Sequence, residues 1–241
     1  MPRIFGFYEL RPGTKVVIIA ALVLVLLTSS VVYVQAYHKL KPIYEVKTDK
    51  KIVALTFDIS WGNNTPLPVI DILKNNGIKA TFFLSGPWVK QYPDIPKRIQ
   101  ADGHEIGSHG YRHINLSNLS KTEIKDELMK AHNNIKEVTG IEANLIRTPN
   151  GDYNDQVIEA AHESNYEVIQ WGTDSLDWMN PGVNNIVDRV TKRVHPGDII
   201  LMHASDTCKQ TTEALPAVIQ NLKNQGYEFV TVSELLKAAQ Q

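Results

Sequence analysis

The sequence predicts an α/β fold in which about seven parallel strands close into a (β/α) barrel, preceded by one N-terminal transmembrane helix. Short β-branched or aromatic runs alternate with amphipathic runs, and Gly or Pro marks most of the joins. Polar residues capable of chemistry follow five of the predicted strands. A barrel gathers reactive groups at the carboxyl ends of many strands, whereas an open doubly wound sheet concentrates them at one switch point. The distribution therefore favours a barrel.

An uncharged apolar run near the N-terminus predicts the transmembrane helix. It covers residues 16–34, and at about 1.5 Å per residue it approaches the ~30 Å thickness of a bilayer core. The run has no polar face, which argues against a buried core helix. Arg3, Arg11 and Lys15 precede it, so the positive-inside tendency places residues 1–15 in the cytoplasm.

The rest of the chain is then expected outside the cell membrane, attached by a single pass. We predict a signal anchor over residues 16–35, a polar linker over 36–47 and one domain over 48–241. Cleavage after a small-x-small motif that ends at Ala36 is the alternative, and it would release the domain.

The charge and the cysteine content of the chain exclude two features. The chain has 25 Lys and Arg residues and 26 Asp and Glu residues, so no net charge steers it toward nucleic acid, and no nucleic-acid partner is expected. Cys208 is the single cysteine, which excludes an intrachain disulfide. We interpret Cys208 as a buried small apolar residue, with a metal role beside His203 as the less favoured alternative. A monomer is expected.

Strands and helices alternate along the domain. The clearest helix opens with a capping box at Ser120-Lys-Thr-Glu123 and ends before Gly140. The predicted strands cover residues 52–57, 80–84, 104–107, 145–147, 166–170, 199–202 and 227–230. Further helices are predicted over residues 66–76, 94–101, 155–165, 184–194, 211–224 and 232–239.

Two histidines four positions apart, His109 and His113, follow the third predicted strand. This spacing would place both rings on one side of a helical turn, and neutral imidazoles bind borderline metals such as zinc. Such pairs are common by chance. Asp58 follows the first strand, however, and the combination points to a divalent metal and hydrolysis.

Five short motifs lead to a resemblance. They read Thr56-Phe-Asp-Ile59, His109-Gly-Tyr-Arg-His113, Arg147-Thr-Pro-Asn-Gly151, Asp174-Ser-Leu-Asp-Trp178 and Leu201-Met-His203. Together they resemble the NodB-type polysaccharide deacetylases, a carbohydrate esterase family, and most closely the membrane-anchored sporulation deacetylases of the PdaB type. The resemblance implies a deformed (β/α) barrel of about seven strands that removes N-acetyl groups from an envelope polysaccharide, most simply peptidoglycan, during sporulation.

The resemblance also implies a role for each catalytic position. Asp58 would be the general base, and Arg147 would hold that carboxylate ionised and oriented. His203 would protonate the departing amine, with Asp177 setting its tautomer and raising its pKa. Taken alone, a histidine at the end of an apolar strand is more often structural, but the Asp-x-x-Asp-Trp motif favours catalysis.

Binding roles follow in the same way. His109 and His113 would hold a divalent metal, zinc being the first choice. Substrate contacts would come from Pro149, Asn150, Trp178 and Leu201. The turn at Asn150 would present a backbone donor to an oxyanion. The family more often has an aromatic residue at that position, so a stacking wall is either missing or supplied by Tyr153.

One position departs from the family. The second Asp of the usual Asp-Asp pair, which completes the metal triad, is Ile59 in this chain. Catalytic zinc sites generally have three protein ligands, so metal binding would be weak or absent. The alternatives are therefore a catalytically degenerate NodB-fold module that binds glycan or supports envelope assembly, and, less favoured, another metal hydrolase built on a barrel.

Overall fold

The computed structural model describes residues 40–238 and the single residue Val23. Within this part of the chain, eight strands form one parallel sheet. Their strongly apolar runs fit a sheet that is covered on both faces. The strands are β1 (Ile52–Ile59), β2 (Thr81–Leu84), β3 (Glu105–Ser108), β4 (Leu145–Ile146), β5 (Glu167–Val168), β6 (Thr173–Asp174), β7 (Ile199–His203) and β8 (Glu228–Val230).

The helices lie between the strands and supply the βα alternation that the sequence predicts. They are α1 (Pro66–Asn75), α2 (Gly86–Gln91), α3 (Asp94–Ala101), α4 (Lys121–Thr139), α5 (Asp155–Glu163), α6 (Val183–Arg193), α7 (Thr211–Asn224) and α8 (Val232–Ala238). Single 3₁₀ turns occur at Leu116–Asn118, Pro149–Gly151 and Asp177–Met179.

The sheet is a deformed barrel that its ladders do not close. Its order is β5-β4-β3-β2-β1-β7-β6, and β8 pairs with the first half of β1. No ladder joins β5 to β6 within residues 40–238. The predicted parallel βα architecture is thus confirmed, but complete closure by strand pairing is wrong.

A segment before β1 bridges the gap in the barrel. Ile43 pairs in parallel with Ile169, and Glu45 pairs antiparallel with Asp198. Val46 is buried in the core cluster, and Ile43 packs against it. Part of the predicted linker over residues 36–47 therefore packs with the domain. The two apolar residues that face the core stand among mostly polar neighbours, which is why this segment was predicted to be a linker.

Local signals in the sequence account for the best-predicted element, α4. The Ser120 hydroxyl accepts a hydrogen bond from the Glu123 N–H, and the Glu123 carboxylate accepts one from the Ser120 N–H. Gly140 ends the helix in the left-handed conformation, with φ of 75°. The capping box and the glycine stop are both confirmed.

Two short elements escaped the sequence analysis. The helix α2 covers six residues, and β6 covers two, which is too short for either periodicity to develop. Asp174 ends β6 and Asp177 begins the 3₁₀ turn after it, so both follow a strand that the sequence analysis missed and not the end of β5.

The membrane prediction concerns another part of the chain. Within residues 40–238 and at Val23, no helix has the length and apolar character that a bilayer span requires. Apart from Val23, the predicted signal anchor over residues 16–35 and the segment before it lie outside the described residues. The membrane span stays a prediction.

Candidate active site

A cleft of about 380 Å³ opens at the carboxyl ends of the strands. The residues that line it come from widely separated segments, which only the parallel sheet brings together. The lining consists of Asp58, Trp61, His109, His113, Asn150, Gly151, Trp171, Asp174, Trp178, Leu201, His203, Ser205, Thr207 and Cys208. Seven of the ten predicted site residues are among them, while Arg147, Asp177 and Pro149 lie behind this surface.

Asp58 and Arg147 form a buried ion pair at the base of the cleft. Arg147 Nη1 donates to Asp58 Oδ1 at 2.9 Å and to Thr56 Oγ1 at 2.8 Å, and Nη2 donates to the Gln170 carbonyl at 2.9 Å. Burial acts to raise the pKa of Asp58, but the charge and hydrogen bond of the Arg147 guanidinium, together with His109 and His203, hold that pKa below the ordinary value. Asp58 is therefore ionised at neutral pH.

The ring of His109 is oriented by the backbone. Its Nδ1 donates to the Arg147 carbonyl at 2.8 Å, and its Nε2 lies 3.7 Å from Asp58 Oδ2. Burial lowers the pKa of His109 to about 4, so the ring is neutral at pH 7. A neutral imidazole with Nδ1 engaged leaves the Nε2 lone pair available to a metal.

His113 reaches the same cleft by a different route from the predicted one. Residues 109–115 form a loop after β3, so the expected helical turn is wrong. The loop still brings the rings of His109 and His113 together, with centroids 5.2 Å apart. Gly110 has φ of 73°, a left-handed conformation that interrupts any helix here. Burial also lowers the pKa of His113.

His203 and Asp177 form a second polar pair on the far side of the cleft. His203 Nδ1 donates to Asp177 Oδ1 at 2.7 Å, and the His203 N–H donates to Oδ2 at 2.8 Å. Thr211 Oγ1 donates to the same Oδ2 at 2.6 Å. Burial acts to lower the pKa of His203, but the hydrogen bond and charge of Asp177, together with the charges of Asp58 and Asp174, hold the pKa above the ordinary value.

Residues 45–169, just over half of the chain, match the sequence profile of the family described as Polysaccharide deacetylase. The chain belongs to the polysaccharide deacetylase family. The resemblance predicted from the five motifs is thereby confirmed.

Three proteins of known sequence or structure are similar to this chain over most of its length. A Bacillus cereus protein named peptidoglycan-N-acetylglucosamine deacetylase is 38% identical over 197 residues, which are 80% of this chain and 92% of the relative. The uncharacterized Bacillus subtilis protein YlxY is 36% identical over 196 residues, 81% of this chain but only 60% of its own length. A crystal structure of a CE4 family pseudoenzyme from Bacillus anthracis is 38% identical, with a TM-score of 0.77 over 81% of this chain and 69% of that one.

A mutant of that pseudoenzyme with restored enzymatic activity is 39% identical to this chain, again with a TM-score of 0.77, over 81% of this chain and 71% of the mutant. The polysaccharide deacetylases similar to this chain thus include a named deacetylase and a named pseudoenzyme. Membership in the family is thus compatible with both an active and an inactive site.

Ile59 is the main departure of this family member from the deacetylase pattern. Its side chain is fully buried, and it pairs with Leu84 at the end of β1. It does not line the cleft. The apolar residue is thus integrated into the sheet, and it supplies no ligand atom beside the two histidines.

A different three-residue group has its possible ligand atoms within 4.8 Å of one another. Within the described part of the chain, Asp177, His203 and Cys208 form the one such group. Asp177 already accepts three hydrogen bonds, and burial raises the pKa of the Cys208 thiol to about 12. A thiol that stays protonated at neutral pH is a poor metal ligand. We interpret the group as the His203 and Asp177 pair beside a buried cysteine.

The turn over Pro149–Gly151 carries the remaining predicted contacts. Asn150 adopts a left-handed conformation with φ of 59°, and its backbone N–H has no acceptor among residues 40–238. Tyr153 does not supply the expected wall, because its hydroxyl pairs with Tyr44 at 2.8 Å and it does not line the cleft. Trp171 lies against Gly151 and takes that place in the lining.

Sequence reasoning predicted Trp178 in the site but missed two other aromatic residues of the cleft, Trp61 and Trp171. Trp61, Trp171 and Trp178 are three of the four tryptophans of the chain, and all three line it. The sequence did contain a signal: Trp61 comes two residues after the end of β1, and Trp171-Gly172 directly precedes β6. Residues on the loops at the carboxyl ends of barrel strands commonly contribute to binding.

Proposed function

We propose that this chain is a hydrolase that removes N-acetyl groups from a peptidoglycan-type polysaccharide. One observation carries the proposal: the Asp58 and Arg147 pair and the Asp177 and His203 pair flank a single cleft. One carboxylate is held ionised, and one histidine has a raised pKa. Two titratable groups whose environments push their pKa values apart supply the base and the acid of a hydrolysis.

The residues present fit a divalent metal in donor type. His109 and His113 would hold it through neutral imidazoles, with Asp58 Oδ2 as the nearest carboxylate oxygen, 3.7 Å from His109 Nε2. When bound, such an ion polarises the acetamide carbonyl and lowers the pKa of water toward ~7. With Ile59 in place of a third ligand, we expect binding to be weaker than in a three-ligand site.

The side chains of the site divide the reaction between them. Arg147 engages Asp58 Oδ1 and leaves Oδ2 to take a proton from the attacking water. The Asn150 N–H provides a donor for the oxyanion that forms as the carbonyl carbon becomes tetrahedral. The His203 imidazolium then gives its proton to the amine nitrogen as the C–N bond breaks. The products are acetate and a free amine on the sugar.

A second candidate function is a non-catalytic glycan-binding module. The buried Ile59 and the likeness to a Bacillus anthracis pseudoenzyme favour it. The complete Asp177 and His203 pair opposes it, because sugar binding alone does not require a buried carboxylate behind a histidine. Burying a carboxylate is unfavourable, and in this site three hydrogen bonds compensate for the burial of Asp177.

We also propose that the domain acts outside the cell membrane, attached by the apolar run over residues 16–34. The positive charges before that run and the Bacillus relatives named for peptidoglycan deacetylation support this location. A role in sporulation rests on the resemblance to the PdaB type.

The test of the activity is product analysis. Peptidoglycan is incubated with the full chain and zinc, and acetate release is measured together with mass spectrometry of the glycan fragments. We expect deacetylated sugars with wild type and at least ~100-fold less product with His203→Ala. If wild type yields no product while it still binds the glycan, the non-catalytic module replaces this proposal.

A further inference from the structure

Trp61 is an exposed aromatic residue that the reaction does not use. Half of its surface, 50%, is exposed, and it lines the cleft. Its ring lies against His113, with centroids 4.7 Å apart and planes inclined by 53°. An indole held open to water at the mouth of a polar cleft has an apolar face available to a ligand.

The loop that carries Trp61 is fixed by one carboxylate. Asp206 accepts hydrogen bonds from the backbone N–H groups of Asn63, Asn64 and Thr65, at 3.2, 2.9 and 2.8 Å, and from Asn64 Nδ2 at 2.6 Å. The Asp206 N–H in turn donates to the Trp61 carbonyl at 3.0 Å. The loop is therefore ordered before any ligand arrives.

Two further contacts complete this support. Trp88 Nε1 donates to the Gly62 carbonyl at 2.6 Å, and the Ser60 N–H donates to Ser205 Oγ at 3.0 Å. Gly62 has φ of 75°, and a Cβ at this position would lie 2.1 Å from the Asp206 carboxylate. Only glycine permits this conformation and this close approach. These contacts fix the backbone that carries the Trp61 indole.

Trp61 and Trp178 lie at different places in the cleft lining. Trp178, 51% exposed, directly follows Asp177 in the chain, whereas the ring of Trp61 lies against that of His113. The reacting acetamide has to sit between Asp58 and His203. A ring stacked on Trp61 is then a neighbouring unit of the same glycan.

We propose that Trp61, on the loop pinned by Asp206, is a stacking subsite for the sugar next to the one that reacts. The inference rests on the proposed function insofar as it places a glycan polymer in the cleft. The carbon-bound hydrogens of a pyranose form an apolar face that suits an aromatic ring, while its hydroxyls stay at the edge. Because the loop is already ordered, binding costs little additional conformational entropy.

The test is the dependence of affinity on oligomer length. Binding of N-acetylglucosamine monomer and tetramer to the full chain is measured by titration calorimetry. We expect wild type to bind the tetramer more tightly, and Trp61→Ala to weaken the tetramer about tenfold with little effect on the monomer. Trp61→Phe should retain most of the affinity. Met129→Ala, which removes an exposed apolar side chain outside the cleft, is the matched control.

Asp206→Ala tests the positioning role. It should weaken the tetramer to a similar extent, and the double variant Trp61→Ala with Asp206→Ala should be no weaker than Trp61→Ala alone, because both changes remove one feature. The tryptophan fluorescence anisotropy should fall in Asp206→Ala as the indole gains mobility. Additive losses in the double variant would overturn the positioning role.

The result that overturns the subsite is an unchanged tetramer affinity in a folded Trp61→Ala. If that variant does not fold, Trp61→Phe decides: the tetramer should shift the tryptophan fluorescence of wild type but much less that of Trp61→Phe, and equal shifts would exclude the subsite. Acetate release distinguishes this inference from the proposed function. Activity without dependence on Trp61 removes only the subsite, and tetramer binding through Trp61 without acetate release removes only the deacetylase.

Discussion

The two sides of the cleft differ in how their polar groups are satisfied. On the His203 side, both oxygens of Asp177 accept hydrogen bonds, from the ring and backbone of His203 and from Thr211. On the Asp58 side, Asp58 Oδ2 and His109 Nε2 face each other at 3.7 Å and make no hydrogen bond within residues 40–238. A fully buried Ile59 stands beside them.

The difference shows which half of the chemistry is complete. The His203 side has the groups that a proton donor needs. On the Asp58 side, Asp58 Oδ2 and His109 Nε2 are available to a ligand, and Ile59 stands where the resemblance implies a second carboxylate. The activity therefore depends on how well two imidazoles hold a metal without a third ligand, with Asp58 as the base. The following variants test each side in turn.

The largest effect is expected from Asp58→Asn. An amide cannot take a proton from water, so acetate release should fall by about 10²- to 10⁴-fold. The variant also leaves the Arg147 guanidinium buried without its partner, which should lower the free energy of unfolding by about 3 to 5 kcal/mol. Steady-state acetate release and urea unfolding measure the two quantities.

The double variant Asp58→Asn with Arg147→Met separates these effects. Removing both charges should recover part of the stability but none of the activity. If activity returned together with stability, Asp58 would have only a structural role, and the Asp58 side would lose its part in the reaction.

Asp177→Asn is the corresponding test of the His203 side. The imidazolium form of His203 donates the proton, so activity should be present below its raised pKa and decline as the pH rises through it. Without the Asp177 charge, the pKa should fall and the declining limb should move to lower pH, with an activity loss of roughly 10²-fold.

The measurement is the pH profile of kcat/KM for both proteins. Asp58 and Asp174 also raise the pKa of His203, so the limb should shift without disappearing. A limb at the same pH in both proteins would mean that His203 is not the proton donor.

A smaller effect is expected from Ile59→Asp, which makes the two sides more alike. Without metal, the carboxylate is buried where Ile59 was, and the melting temperature should fall. With zinc, the added oxygen donor next to Asp58 should tighten binding by about 10- to 100-fold. Ile59→Asn is the matched control, because it introduces polarity without charge. Equal zinc affinity in all three proteins would show that this position does not reach the metal.

The sequence predicted the order of the strands and helices better than it predicted the shape of the loops between them. The order of strands and helices and the capping box at Ser120 depend on local patterns, and these are visible in the sequence. The loop from His109 to His113 was mistaken for a helical turn, because a spacing of four positions does not reveal the left-handed Gly110.

Long-range features were not accessible from local patterns. The segment around Ile43 bridges the barrel through partners more than a hundred residues away, and its mixed composition resembles that of a linker. The fixing of the Trp61 loop depends likewise on Asp206. Only the fold shows that these residues meet.

The most direct test of the central claim is acetate release from peptidoglycan as a function of zinc concentration. It is measured for wild type and for His113→Ala, a loop variant that should leave the sheet unchanged. We expect wild-type activity to rise with zinc and to saturate, with chelation abolishing it, and His113→Ala to show little activity at any zinc concentration tested. No acetate from folded wild type across the titration, or equal activity in both proteins, would contradict the account.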